Sequence, residues 1–448
     1  MTEVPSTQPE GMTVNRIKSL KGVYSPPGDE YVSHLSLILG ALAEGETIVK
    51  GLAPGKHIQR TIACLKALGV EIEIGDRRDT VIVKGTGAFS GGPGLTQPEQ
   101  SIDCGDSVIT FELMTGVLAG QKFNATLTGS DRLQRHSISR VLNPLKILGA
   151  DFELPEEGSL PLQIRAGRLM GMSYQNPMGS AIVKAATLLA GLGSSFPVEF
   201  AEPLRTWDHT ERLLKTFGAV LSCKASGGGH GEYSVRLEPG GILQGQEIIV
   251  PGDISAALYL IVAALLLPGS DLILKDVGLN PGRREIVKVL SRMGGKIELE
   301  NRHMVGGESV CDIHVQYSKL KGIGISGKSV TWLMEDISAL VVAAAFAEGE
   351  TYIKEIEDLR NMEIDYITAL VQNLKALDLD VGEYPDGLIF RGKAVHDSGE
   401  FDCFGDYRLA LAFHVAALAC HGESTITGHE VIDEYWPDFN TVIDALKA

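Results

Sequence analysis

Apolar and polar positions along this chain alternate in blocks. An Ala/Leu-rich run, a glycine and a short β-branched run recur together, as in LILGALAEGETI from Leu37 to Ile48 and AAAFAEGETY from Ala343 to Tyr352. Looser copies end at Gly120, Gly191, Gly269 and Gly422, spaced by roughly 71–80 residues, so six units fill the chain. Within a unit a second helical run with one apolar face ends in a small residue, where a C-cap belongs. Thr61 to Gly69 is the clearest, with others ending at Gly149, Gly218 and Gly294 and a weaker one near Leu377. The strand that follows, such as Val70 to Ile74, alternates as a half-buried strand should. Each unit therefore reads β-α-β-α-β-β, and six copies predict an α/β protein. Two bundles of three units are more economical than a solenoid, for which a unit of this size is large.

The first helix of each unit starts at a polar turn: Pro27-Gly28-Asp29, Cys104-Gly105-Asp106-Ser107, Met178-Gly179-Ser180, Pro251-Gly252-Asp253, Met334-Glu335-Asp336 and Gly405-Asp406-Tyr407. Asp and Ser there cap the helix singly. Converging on one cleft, such starts would offer orphan N–H groups and positive dipole ends to an anion.

The chain has 448 residues and a formal net charge of −17. That field repels nucleic acid and anionic membranes. No apolar run approaches the roughly 20 residues of a membrane span, and the start Met1-Thr2-Glu3-Val4-Pro5 lacks the features of a signal peptide. Six cysteines lie far apart without a CxxC pair, so neither a disulfide framework nor a metal site is expected. A cytoplasmic protein, monomeric and without cofactor, is the expectation.

The landmarks Pro27-Gly28-Asp29 with Ser33-His34, Val141-Leu142-Asn143-Pro144-Leu145, Ser180-Ala181 with Val183-Lys184, Asp208-His209-Thr210-Glu211, Val250-Pro251-Gly252-Asp253 and Asn280-Pro281 carry a resemblance. From about Leu20 to Phe439 the chain resembles the 5-enolpyruvylshikimate-3-phosphate (EPSP) synthase family. The resemblance implies an enolpyruvyl transferase-like inside-out α/β barrel of two domains, each of three βαβαββ units. It places one domain at residues 1–27 plus 251–448 and the other at 28–250, with the active cleft between them. The family moves the enolpyruvyl group of phosphoenolpyruvate onto a hydroxyl of shikimate 3-phosphate, and its cleft holds these polyanions with Lys and Arg.

At the matching positions most of those cations are replaced. The lysine of the first motif is Glu30, its neighbouring serine is Tyr31 and its arginine is Leu35. Other arginines correspond to Glu112, His136, Trp207 and Tyr366, a second lysine to Met362, and a glutamine to Ile182; Arg360 and Arg408 remain. A unit charge pair about 4 Å apart is worth roughly 4 kcal/mol at an effective dielectric of about 20, so inverting a cation to an acid is a large change. The expected result is a cleft short of cations, rebuilt with apolar, aromatic and acidic groups.

By the resemblance, Glu335, Asp336, Glu363 and Glu30 are the candidate acid/base groups. Arg408 is the candidate carboxylate anchor, because its fork matches that geometry. Ser180, Ala181, Tyr31, Ser33, His34, His136, Trp207, Tyr366 and Arg360 complete the candidate substrate contacts. This set favours a small hydroxy acid as substrate: a non-phosphorylated, shikimate-like carbocyclic or polyol acid undergoing elimination, as in a lyase, dehydratase or cyclase of a specialised pathway. The family's own carboxyvinyl transfer is the alternative, and a catalytically silent binding homologue is a second one.

Overall fold

The computed structural model describes residues 11–75, 79–156, 159–226, 231–362 and 364–448. Six of its helices are apolar nearly all round: Glu30–Leu42, Val108–Ala119, Ala181–Gly191, Ile254–Leu266, Ile337–Ala345 and Tyr407–Ala419. A helix without a polar face has to be buried. These six form the centres of two separate apolar cores, one drawn from residues between Tyr31 and Val250, the other from Val14, Leu20 and residues between Ile254 and Leu446. Amphipathic helices such as Lys56–Ala67, Ser139–Leu148 and His209–Phe217 cover the first core. Gly149 and Gly218 close two of them in the left-handed region, at φ 107° and 103°.

The sheets repeat one arrangement. Met172–Gln175 runs parallel to Val198–Glu202, which pairs antiparallel with Tyr233–Leu237, itself antiparallel to Leu221–Ala225. Five sheets have four strands in this order. This is the two-domain α/β fold that the repeats and the resemblance imply.

Two details depart from six identical, contiguous units. The strands that lead into each passage between the domains pair far along the chain within the domain they leave: Lys21–Tyr24 with Asp271–Gly278 in one, and Glu247–Ile249 with Glu46–Lys50 in the other. The last unit has a three-stranded sheet, in which Met12–Asn15 from the other end of the chain pairs with Glu423–Thr427. Both are long-range pairings with no local signature in the sequence.

The two passages cross side by side. Asp29 N–H donates to Pro251 O and Asp253 N–H to Pro27 O, both at 2.8 Å, beside the expected hinge segments Ser25-Pro26 and Val250-Pro251. Gly28 is required there, since a Cβ would lie 1.8 Å from Gly51 O. Among the described residues no helix is long and apolar enough to cross a membrane, and all six cysteines are free.

Inside the first core, Gly116 lets Val108–Ala119 sit against the backbone of Ala181–Gly191; a Cβ there would be 2.3 Å from Ala186 O. Overpacking of this kind costs about 1–3 kcal/mol. Gly116→Ala is expected to lower the urea midpoint accordingly.

Candidate functional site

The first turns of five of the buried helices, with Glu335 from the turn that leads into Ile337–Ala345, meet around one cavity of about 420 Å³ between the domains. Their N-termini are capped locally. Asp29, Ser107 and Ser180 accept from Val32, Thr110 and Val183 N–H groups, while Asp253 and Asp406 accept from Ser255 and from Arg408 and Leu409. Convergence, which spacing along the chain leaves open, is therefore realised, and the positive ends of the helix dipoles share a single space.

Among the described residues, eight carboxylates line this space, against four guanidinium groups and two imidazoles. The expected shortage of cations is corrected by Arg132, Arg140 and Arg283, which join Arg408 in the wall. Each is partnered within the chain. Arg408 donates to Glu335 at 2.9 Å and to Asp406 at 2.8 Å, and Arg140 reaches Asp358 at 3.0 Å. Arg132 donates to Gly405 O and lies 3.8 Å from Asp406. With Trp332 Nε1 donating to Arg205 O at 2.8 Å, the last two arginines hold the domains together across the cavity.

Glu30 and Glu112 stand where the family has cations, and each meets a histidine. Glu30 Oε1 is 2.9 Å from His57 Nδ1, and Glu112 Oε1 is 3.0 Å from His136 Nε2. Burial works against the charge on Glu30, but His34 and His57 outweigh it and hold its carboxyl far below the usual range. Burial likewise works against protonation of His57, and Glu30 outweighs it, so the His57 pKa is raised. His57 and Glu434, which faces Lys56 at 3.7 Å, belong to the site and carry no motif that would have revealed them.

The other expected residues divide by depth. Tyr31, Ser180, Trp207 and Met362 line the cavity with Glu30, His136, Glu335 and Arg408. Ala181 lines an adjoining cavity, and its carbonyl accepts from Tyr31 OH at 3.0 Å. Asp336 is 4% exposed, one layer beneath Glu335, and accepts from Ser255 Oγ at 2.9 Å. Its burial pushes its pKa up to about 7, with Glu335 adding to the rise and Arg283 and Ser255 opposing it.

Four residues do not reach the cavity as expected. Ser33 accepts from Ala53 N–H at 3.0 Å and His34 pairs with Thr61 at 2.7 Å, both wholly buried. Tyr366 is buried beneath Arg408, whose guanidinium lies 5.1 Å from its ring. Arg360 faces away, donating to Pro385 O, Asp365 and Glu383, and its retention is explained by that surface cluster. Glu363 lies outside the described residues. The Asp208-His209-Thr210-Glu211 landmark proves to be a buried network. Glu211 meets the fully buried Lys184 at 2.9 Å, Thr210 meets Tyr31 at 3.0 Å, and Asp208 accepts from Asn280 of the other domain at 2.8 Å.

Comparison with known proteins bears on what this cavity does. The family model described as EPSP synthase (3-phosphoshikimate 1-carboxyvinyltransferase) matches residues 14–443. The 3-phosphoshikimate 1-carboxyvinyltransferase of Desulforudis audaxviator is 40% identical, covering 97% of this chain and 99% of that protein. That of Brevibacillus brevis is 37% identical over 96% of this chain and 99% of that one. Among solved structures, EPSP synthase from Acinetobacter baumannii superposes with a TM-score of 0.84 at 34% identity, covering 98% of both chains. The enolpyruvyl transferase NikO from Streptomyces tendae, at 16% identity and a TM-score of 0.76 over 98% of both chains, shares the fold. Full-length relatives of this identity, all named for carboxyvinyl transfer, overturn the expectation of a lyase or cyclase acting on a non-phosphorylated acid in a specialised pathway.

The His57–Glu30 pair gives a pH-dependent contribution to stability. A raised folded pKa stabilises fully below the unfolded value of about 6.5 and is lost as pH rises through the folded value. His57→Gln is expected to cost more stability at about pH 6 than at about pH 9, measured by urea unfolding of both proteins at each pH.

Proposed function

This chain belongs to the EPSP synthase family, and on that premise we propose that it is a carboxyvinyltransferase working in the cavity between its domains. The domain limits that go with this reading are 1–27 plus 251–448 and 28–250, supported by the two apolar cores and the paired crossing at Gly28 and Gly252. The acceptor is a shikimate 3-phosphate-type alcohol and the donor is phosphoenolpyruvate. One observation carries the reading: among the described residues, five capped helix N-termini and four arginines face one cavity. That field offsets the carboxylates which have replaced the family's cations, and His57 and His136 further neutralise Glu30 and Glu112 while protonated.

Chemistry follows from the groups in place. Glu335 takes the proton of the acceptor hydroxyl as its oxygen bonds to the phosphate-bearing vinyl carbon of the donor and the donor methylene gains a proton. Loss of a proton from the resulting methyl group then re-forms the double bond as the carbon–oxygen bond to phosphate breaks, so that the net proton of the hydroxyl leaves with the released phosphate. Arg408, lying between Glu335 and Asp406, anchors the donor carboxylate by exchanging one of these internal partners for it. Asp336 holds a proton beneath Glu335 near neutral pH, available as the charge above it changes. Tyr31, Trp207 and Met362 shape the apolar wall.

A second reading, binding without turnover, is favoured by one observation. Arg140, Arg283 and Arg408 already have carboxylate partners from this chain, so a ligand must displace bonds that exist. Phosphate release from shikimate 3-phosphate plus phosphoenolpyruvate separates the two. Carboxyvinyl transfer requires release that saturates in both substrates; calorimetric binding of the pair with no release establishes the second reading. Where turnover is present, Arg408→Ala and Glu335→Gln are each expected to lower kcat/KM by about 10–100-fold, the equivalent of one charge-assisted contact.

A further inference from the structure

Arg283 has no counterpart among the motifs of the sequence, yet it occupies the crossing of the two domains. It sits in the Asn280-Pro281-Gly282-Arg283 turn and is 5% exposed. Gly282 brings that turn against the other domain, since a Cβ there would lie 2.8 Å from the Trp207 ring. The guanidinium then stacks 4.5 Å from the ring centre of Trp207. Its Nη1 donates to Asp29 at 2.7 Å, and its Nη2 donates to Asp253 at 2.9 Å and to Ser255 Oγ at 2.6 Å. Asp29 and Asp253 are the N-caps of the helices that leave the crossing in opposite domains.

Ser255 passes this arrangement on. Its oxygen accepts from Arg283, so its single proton points to Asp336 Oδ1, 2.9 Å away. Oδ1 is thereby fixed as an acceptor, which leaves Oδ2 to carry the proton of Asp336.

We propose that Arg283 is a positioning residue which, through Ser255, sets the orientation and proton affinity of Asp336 and links both to the crossing of the domains. The role deepens the carboxyvinyl-transfer reading, on which the use of that proton rests. The groups facing Asp336 are Glu335 on its own turn, Asp253, Ser255 and Tyr259 from the Ile254–Leu266 helix and its cap, and Arg283. Of these, Arg283 and Ser255 favour the carboxylate, so loss of either raises the Asp336 pKa.

The test follows the Asp336 carboxyl by carbon NMR in the ligand-free protein, its resonance assigned with Asp336→Asn. Ser255→Ala leaves the grip of Arg283 on Asp29 and Asp253 intact and is expected to raise the titration midpoint by about one pH unit. Ser255→Thr, which keeps the hydroxyl, should restore the wild-type midpoint. Arg283→Lys keeps the charge but not the fork; it should raise the midpoint and speed amide exchange around Asp29 and Asp253. Wild-type midpoints in both Ser255→Ala and Arg283→Lys would overturn the proposal. Because no turnover is needed, failure of the carboxyvinyl-transfer reading leaves this outcome legible. Where turnover occurs, the limb of the kcat–pH profile that belongs to Asp336 moves with the midpoint.

Discussion

Two carboxylates, Asp29 and Asp253, are buried side by side where the chain passes between its domains, and each is needed to cap a helix. Left alone they would repel one another in a medium that solvates neither. Arg283 between them makes the crossing tenable, and the placement of the cavity follows from it. The two helices it joins start one in each domain, so their first turns are held in a fixed relation, and Glu30 and Ser255 face the same space. The strands that lead into this point, Lys21–Tyr24 and Glu247–Ile249, tie each passage of chain into a sheet of the domain it leaves. The crossing at Arg283 is one fixed link between the domains, and Arg140 with Asp358 is a separate contact between them.

The cavity is a case of charge redistributed rather than removed. Its lysine and arginine positions have become Glu30, Glu112 and His136, yet the helix N-termini that converge there have not changed direction. A backbone dipole cannot be mutated away. Carboxylates at such ends are stabilised, which makes an acid in place of a cation less costly here than at an ordinary buried position. The histidines opposite Glu30 and Glu112 complete the compensation, His57 with a pKa that Glu30 raises and His136 by its 3.0 Å contact with Glu112.

Much of this was legible in the sequence, and the reason is physical. Buried helices without a polar face leave long Ala/Leu runs, and the glycine or cap at each end marks their limits, so the repeating units could be read directly. The motif residues led to the family, whose relatives then corrected the reaction expected from the replaced cations. The fate of individual side chains was less accessible. Arg132, Arg283 and Glu434 reach the cavity from turns and one-turn helices, where no periodicity announces a direction, and His57 and Arg140 from the first turns of amphipathic helices, on the side their apolar stripe does not specify. Arg360 looks identical in sequence whether it faces a ligand or, as here, Asp365 and Glu383. Ser33 and His34 share a helix face with Glu30 but stand one turn further along it, and that turn carries them beneath the cavity into the core, where Ala53 and Thr61 meet them.

The pairing of Met12–Asn15 with Glu423–Thr427 bears on how such a chain can be made. On a ribosome, the domain between Tyr31 and Val250 has all its strands once Glu247–Ile249 has emerged. The other domain begins first and finishes last: Lys21–Tyr24 waits for Asp271–Gly278, and Met12 waits for Ile426. Throughout that interval the first strands are open edges that any extended segment could pair with. Early closure of the middle domain keeps most of the nascent chain out of their reach, so the order of synthesis itself protects the last sheet until its partner arrives.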